Sequence, residues 1–395
     1  MIVKILIITP DIYPYSKGYG GRITLLLYNS FKKLGHDVDI ISSIPGNIQQ
    51  DIQTKKNDIK LTQLYHINKS TYSYFMPMHI KDFMFLRKYL RENIKNYDLI
   101  LINDFTWSLI LTSLIFIKNK YKNRVMMINH GILYLKNNKI TFHASKILNI
   151  VIANIFLRNI RCIISFSKKT DTELQEIVKF NIKKTVIPFC LNPQSIIKTY
   201  EDSISESNTI LNQYKNSFNI DNFIFSISEM SFHKGYHILL EACGKLLNKG
   251  YNFDIVIAGK KNIDYMVTLN EIISKYNIEK KVHFIGQIDD VEKFTLMMKS
   301  KIYIIPSLSE GFGVGAQEAS ILGIKTIATD TGAHRELLGS KEYNIIVKPG
   351  DVDELKNAII KSINSEKIPA KLDTKKLCNF SCDIISKEIL NFFNS

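Results

Sequence analysis

The sequence predicts an α/β protein built from two doubly wound, Rossmann-like domains. Three observations lead there. Contiguous apolar runs recur along the whole chain, as strands buried on both faces of a parallel sheet require. Stretches with helical spacing separate them, so that strand and helix alternate. At 395 residues the chain exceeds one ordinary core and suits two domains of roughly 150 to 200 residues.

In order, the first half offers strands at VKILIIT (3–9), VDIISS (38–43), LILIN (99–103), VMMIN (125–129), CIISF (162–166) and TVIPF (185–189). The second offers FIFSIS (223–228), FDIVIAG (253–259), VHFIG (282–286), IYIIP (302–306), TIAT (326–329) and NIIVK (344–348). Helices are expected at 22–34, 234–249 and 351–364, among others. The most polar stretch, 193–216, reads as the linker. The expected domains are therefore 1–195 and 205–377, with a C-terminal helix in 378–395 returning to complete the first. Two such sheets facing each other leave a cleft. Ligands of open α/β sheets sit beyond the carboxyl ends of the strands, which makes each strand-to-loop junction a candidate site.

Composition narrows the function classes. Hydrophobic content of 45% with 23% charged residues is that of a folded globular protein. Five cysteines, at 162, 190, 243, 378 and 382, form no CxxC pair, and their odd number argues against a disulfide framework, so a reducing compartment is expected. The opening MIVKILIITPD reads as a first strand rather than a signal peptide. No apolar stretch reaches the ~18 residues of a membrane span. The net charge of +15 is unevenly placed: residues 1–200 hold 29 Lys and Arg against 12 Asp and Glu, and residues 201–395 hold 23 against 25. A domain of one sign points to an anionic partner such as a phospholipid surface, a phosphate-bearing acceptor or nucleic acid. A compositional bias toward Lys, Ile and Asn is the plainer explanation, but it should act on both halves alike.

Two junctions carry chemistry. After the first strand, Gly18, Gly20 and Gly21 precede a helix whose apolar positions begin at Ile23, so helix amides there would meet a phosphate or a sugar hydroxyl. A tight turn needing positive φ explains such glycines equally well. The loop is longer than the GxGxxG dinucleotide fingerprint allows, which weakens a nicotinamide dehydrogenase reading. In the second half, Lys234 and Gly235 fall between a strand and a helix, where an ammonium and helix amides together suit a diphosphate. Then SLSEGFGVGAQEAS (307–320) sets Glu310 in a loop and Glu318 more than one turn inside the following helix. Eight residues at 100° each point the two carboxylates to different sides, so they serve different parts of one ligand, or one serves only the helix.

The tract 225–338, with HKGYHILLEA, FIGQIDDVEKFTLMMKSKIYIIPSLSEGFGVGAQEA and GIKTIATDTGAHREL, resembles the donor-binding half of retaining glycosyltransferases of the GT-B fold, family 4 (glycosyl transferases group 1). The resemblance extends into the first half through the Gly-Gly segment before helix one, the turn Asn129-His130-Gly131, SFSKKTDTEL and VIPF. It implies a nucleotide-sugar donor and a glycan or lipid-linked acceptor, in bacterial cell-surface polysaccharide or lipopolysaccharide biosynthesis. Glu318 would accept from the ribose hydroxyls and Glu310 from those of the transferred sugar. Amides of Gly311, Phe312 and Gly313 would line the same pocket. Lys234, beside Gly235, would neutralise the departing diphosphate, and Gly20 and Gly21 would let the first helix approach it. His130 would touch the transferred sugar from the opposite domain; a histidine satisfied within its own turn is the plainer role. Asp104 and Asn129 are implied toward the acceptor or behind the site. No cofactor or metal is implied, and the sequence has no DxD-type cluster or His/Cys ligand set in a suitable loop.

One position departs from the family. Five residues before the Lys of Lys-Gly the family commonly has Arg, and here stands Glu229. Either Glu229 turns away, or Lys260 or Lys261 replaces the missing cation, or the donor lies differently. For the basic half, the resemblance implies docking on the cytoplasmic face of a membrane, with KDFMFLRKYLRENIKN (81–96) and HASKILNIVIANIFLRNIR (143–161) as candidate segments. A core helix with snorkelling ends is the plainer explanation of each, and for 143–161 it is the favoured one. A non-catalytic sugar-nucleotide or glycan-binding protein of the same fold is the alternative. Nucleic acid is not expected as a partner, since the basic excess carries no recognition motif.

Overall fold

The computed structural model describes residues 2–9, 19–43, 61–64, 80–103, 119–131, 150, 154–155, 157–339, 341–366 and 368–395. The chain divides into two compact units, Met1–Asn192 with Asn379–Ser395, and Pro193–Cys378.

The first unit carries a seven-stranded parallel sheet made of β1 (Lys4–Thr9), β2 (Asp37–Ser43), β3 (Leu61–Leu64), β4 (Leu99–Ile102), β5 (Val125–Asn129), β6 (Cys162–Ser165) and β7 (Lys183–Val186), in the order β3-β2-β1-β4-β5-β6-β7. β1, β4, β5 and β6 are buried almost throughout. Helices cover such a sheet on both sides, which is why these strands read as unbroken apolar runs. Alternate residues Leu6, Ile8, Ile100, Ile102, Val125, Met127 and Ile163 share one core with Leu86 and Leu90 of the helix Ile80–Asn93. The expected strands form, and β3 is an addition. Its sequence LTQL is too short and too polar to stand out, and pairing with β2 from Ile40–Leu61 to Ser43–Leu64 makes it a strand.

The C-terminal helix Cys382–Asn394 belongs to this unit. Backbone bonds Leu191 N to Phe380 O (2.7 Å) and Cys382 N to Leu191 O (3.0 Å) set its start. Asp383 accepts from Ser30 Oγ (3.1 Å) and from Lys33, both on the helix Tyr19–Lys33. The Arg161 guanidinium lies 4.8 Å from the Phe393 ring centroid.

The second unit carries a six-stranded parallel sheet of β8 (Phe223–Ile227), β9 (Asp254–Ala258), β10 (Val282–Gly286), β11 (Ile302–Ile305), β12 (Thr326–Thr329) and β13 (Ile345–Val347), ordered β10-β9-β8-β11-β12-β13. Counted from its own first strand, that is the dinucleotide-fold order 3-2-1-4-5-6. The polar stretch 193–216 is not a linker. It forms two helices, Pro193–Ser205 and Ser207–Tyr214. Proline at the first helical position gives up no needed donor. Thr295 Oγ1 donates to Ser203 O (3.1 Å) and Tyr214 donates to Glu292, which ties both helices to the helix Asp290–Lys299. Their polar faces are solvated faces of the second unit, which begins at Pro193. Among the described residues no helix is long and apolar enough to cross a membrane.

Candidate functional site

In the second sheet the strand order reverses between β8 and β11, and the crevice beyond their carboxyl ends is where such folds bind ligands. The loops leaving these two strands are in backbone contact. Gly235 adopts φ +71°, and a Cβ placed there would lie 2.0 Å from Pro306 O. Leu308 N donates to His233 O (2.7 Å). Only glycine meets both demands at 235, and the close approach carries Lys234 across to the β11 loop. There Glu310 Oε1 accepts from Lys234 Nζ (2.7 Å) and from Ser307 Oγ (2.7 Å). Both bonds fall on Oε1, and among the described residues Oε2 carries no hydrogen bond. Burial by itself pushes the Glu310 carboxyl up. The Lys234 ammonium, with the field of His334 and the hydrogen bonds from Lys234 and Ser307, outweighs it and lowers the pKa to about 2. Glu310 is therefore a fixed anion with one oxygen committed and one open.

The loop after β12 forms the floor beneath Glu310. Gly332 packs so tightly that a Cβ would lie 2.6 Å from Phe312 O and 3.0 Å from Glu310 Cβ. Ala333 N donates to Phe312 O (2.7 Å), and His334 Nδ1 donates to Thr329 O (2.8 Å). The buried His334 ring ends against Gly313, whose φ of +99° begins the helix Val314–Ile321. Composition gave no sign of this packing, although the motif TDTGAH lay within the family-like tract.

Glu318 sits inside that helix and is 6% exposed. Its Oε1 accepts from Lys293 Nζ (2.8 Å), and Lys293, also 6% exposed, donates to Asp290 Oδ1 (2.9 Å) as well. The two carboxylates of the Glu-x7-Glu element thus belong to two separate lysines. Sequence reasoning missed Lys293. Its signal was a lysine on the buried face of an amphipathic helix, one turn before Met297.

Glu229 is exposed, and among the described residues its carboxylate forms no ion pair. The β9 loop runs beside it. Gly259 at φ +129° leaves 1.8 Å between a would-be Cβ and Ser228 O, and Met230 N donates to Lys260 O (2.9 Å). Lys260 and Lys261 are both exposed, with the Lys261 ammonium 5.6 Å from the Phe284 ring centroid. Among the described residues no group of three or more His, Cys, Asp or Glu is placed to hold a metal ion.

In the first unit the helix after β1 starts at Tyr19, so Gly20 and Gly21 lie in its first turn rather than in a loop before it. Residues 10–18, including Gly18, and Asp104 lie outside the described residues, as does most of 143–161. Asn129, fully buried, spends its side chain internally: Nδ2 donates to Ser165 Oγ and Thr170 O (3.2 Å each), and Oδ1 accepts from Gly131 N (2.9 Å). It holds the turn in which Gly131 takes φ +109°. His130 does not bond its own turn. Its Nε2 meets Asn103 Oδ1 at 2.8 Å, its ring stands edge-on to Phe166 at 4.8 Å, and burial lowers its pKa to about 4, so it is neutral at pH 7.

These features define a doubly wound α/β protein with a charged crevice at the switch point of its second sheet. Residues 207–376 match the family described as glycosyl transferases group 1. Protein CapJ of Staphylococcus aureus is 32% identical over 34% of this chain and 33% of its own length. The O-antigen chain mannosyltransferase RfbU of Salmonella typhimurium is 25% identical over 67% of this chain and 71% of its own. The chain spans between 33% and 50% of the length of the first four curated relatives it matches. Among solved structures, Anabaena HepE in complex with UDP superposes with a TM-score of 0.69 at 17% identity, covering 99% of each chain. The family match spans nearly all of the second unit, and the whole chain has the GT-B fold.

Proposed function

We propose that this protein is a retaining glycosyltransferase that moves a sugar from a nucleotide-sugar donor to a glycan or lipid-linked acceptor in bacterial cell-surface polysaccharide or lipopolysaccharide biosynthesis. The observation that carries the reading is the Lys234–Glu310 pair at the β8/β11 switch point, beside the glycine-led start of the helix Val314–Ile321. As the bond from the anomeric carbon to the diphosphate breaks, charge develops on the leaving oxygens. Lys234 and the first-turn amides of that helix supply fixed positive potential there. Glu310 Oε2 accepts from hydroxyls of the transferred sugar, and Glu318 accepts from the ribose. The partners fit the relatives' names: RfbU is an O-antigen chain mannosyltransferase, and HepE was crystallised with UDP.

The test is a thermal-shift panel of UDP-, GDP-, ADP- and CMP-sugars, followed by donor hydrolysis with the stabilising donor. A donor at 100 times its Kd adds about 2.7 kcal/mol. A panel with no shift, or a donor bound but neither hydrolysed nor transferred, overturns the enzyme reading, the second outcome in favour of a binding protein.

Glu318→Gln is expected to weaken the nucleoside diphosphate and the donor alike by about ten-fold, since a hydrogen bond to a charged group contributes ~1.5 to 3 kcal/mol. Glu310→Gln should lower kcat/KM by a similar factor with nucleotide affinity nearly intact. Calorimetry with the nucleotide alone, then kinetics with the donor, separates the two; equal loss of nucleotide affinity in both variants contradicts the division of roles. Transfer is also expected to continue unchanged in EDTA. Loss of activity restored by Mg²⁺ or Mn²⁺ would reveal a metal requirement.

The basic first half is proposed to hold the protein on the anionic inner face of the cell membrane. Binding to anionic liposomes should fall as salt rises, and neutral liposomes should bind far less. Equal binding to both kinds counts against this placement.

A further inference from the structure

The start of the C-terminal helix Cys382–Asn394 is held by more than backbone. Leu191 pairs with Ser381 in a short parallel bridge, in which Leu191 N donates to Phe380 O and Cys382 N donates to Leu191 O. That register sets residue 190 of one segment beside residue 382 of the other. Cys190 is 0% exposed and Cys382 is 7% exposed, and their sulfurs lie 2.9 Å apart, with Leu191 O 3.0 Å from Cys382 Sγ. Non-bonded heavy atoms pack at about 3.5 to 4.0 Å, and a disulfide bond is about 2.05 Å long. The two thiols are therefore closer than packing alone sets atoms as large as sulfur, and an approach of roughly 0.9 Å joins them. The other cysteines offer no alternative pairing. Cys162 and Cys243 are buried in separate elements, β6 and the helix Tyr236–Leu247, and Cys378 is exposed; among the described residues none of the three has a sulfur partner. The chain leaves the first unit at Asn192–Pro193 and re-enters it at Cys378–Asn379, so the pair ties the last residues before the exit to the first residues after the return.

We propose that Cys190 and Cys382 are a modification site, a buried dithiol that a low-molecular-weight disulfide of the glutathione class converts reversibly to a disulfide, clamping the C-terminal helix to the first unit. Cys382, the first residue of that helix and the less buried of the two, attacks one sulfur of the small disulfide and expels the other as a thiolate, which takes up a proton. Cys190 then attacks the Cys382 sulfur of the mixed disulfide and expels the second small thiolate. Two protein thiols become one disulfide and one glutathione disulfide becomes two thiols, so two electrons and two protons pass to the oxidant. Burial pushes the Cys190 thiol well above its ordinary range. Thiolate is therefore scarce while the helix start is closed, and the exchange proceeds through its local opening. The reducing compartment expected from the cysteine count keeps the pair as thiols, and a shift of the thiol pool toward disulfide closes it. The C-terminal helix, already bonded through Asp383 to Ser30 and Lys33, can then no longer separate from the first unit.

The experiment incubates the full chain in glutathione buffers of increasing disulfide fraction, quenches with acid and maps the peptides by mass spectrometry without reduction. A linked pair of peptides carrying Cys190 and Cys382, two hydrogens lighter than the free peptides together, is expected, with faster migration on a non-reducing gel because the bond closes a loop around the whole second unit. Both signs should vanish in Cys190→Ala and in Cys382→Ala, persist in Cys378→Ala, and reverse with dithiothreitol. Once the bond has formed, hydrogen exchange of residues 383–394 should slow by roughly ten-fold or more. Cys190 and Cys382 that remain thiols at the highest disulfide fraction overturn the proposal, and so does a bond in which Cys378 is a partner. A bond between Cys190 and Cys382 that leaves exchange in the helix unchanged overturns the clamp. Where an alanine variant does not fold, the peptide map and exchange of the unsubstituted protein decide. No nucleotide or sugar enters these measurements, so their outcome is independent of the glycosyltransferase reading.

Discussion

Lys234→Met is expected to lower kcat/KM for the nucleotide-sugar by roughly 10² to 10³, the loss typical of removing one group aimed at developing negative charge. The ammonium has two tasks at one position. In the free protein it balances Glu310, and in the proposed reaction it faces the departing diphosphate. The first task predicts a stability effect that can be measured without substrate. Bringing the Glu310 carboxyl from its ordinary range near 4.3 to about 2 corresponds to roughly 3 kcal/mol. The sign follows from the direction of the shift. A depressed carboxylate stabilises the fold above its ordinary pKa, and that stability disappears as pH falls through the folded value. Without Lys234 the burial that raises this carboxyl is no longer outweighed, so the stability gap between the unsubstituted protein and Lys234→Met should be largest near neutral pH and close as pH falls toward 2. Denaturant titrations across that range check it. A kcat/KM loss under ten-fold with the stability gap intact would leave Lys234 only the counter-ion of Glu310.

Lys293→Met is expected to produce the largest loss of stability. Lys293 and Glu318 are 7% and 6% exposed at their side chains, and removing one partner of a buried pair costs about 3 to 5 kcal/mol because the remaining charge keeps its desolvation cost. For a unit of this size that is a fall in Tm of roughly 6 to 20 °C. The double variant Lys293→Met/Glu318→Gln should recover much of the stability, since neutralising both partners removes the uncompensated charge. It should not recover nucleotide affinity, which the proposed function assigns to the Glu318 carboxylate. If the double variant is as unstable as the single one, the loss comes from packing around Lys293 rather than from its charge. If it binds nucleotide normally, the ribose contact lies elsewhere.

The Glu229 departure is partly resolved by the path of the chain. Its carboxylate is exposed and forms no ion pair among the described residues, while the close contact of Gly259 with Ser228 runs the backbone of Lys260 alongside Met230. Of the three outcomes open in the sequence, a solvated Glu229 and a lysine at the end of the neighbouring strand are compatible with each other. The resulting potential depends on both.

What the sequence determined by itself was the local chemistry of each strand and turn. Runs such as LILI and VMMIN can only be strands buried on both faces, and twelve of them with helices between dictate doubly wound sheets. Gly235 and Gly313 marked loops leading into helices, and positive φ is the reason. The stretch 193–216 was misread because a helix with a broad solvated face has the composition of a linker; its burial is settled by Thr295 and Glu292, some 80 to 90 residues further on. LTQL became a strand only through the edge of β2. The pairings in the site were decided by tertiary structure alone. Lys234 and Glu310 are 76 residues apart and meet because the strand order sets β8 against β11. Lys293 reaches Glu318 across 25 residues, and Asn103 reaches His130 across 27. A side chain's type limits what it can bond, but which partner lies within 3 Å is set by sheet order and backbone approach. The sequence could therefore name Lys234, Glu310, Glu318 and His130, while Lys293 and Asn103, and which of these groups hold one another, came only from the fold.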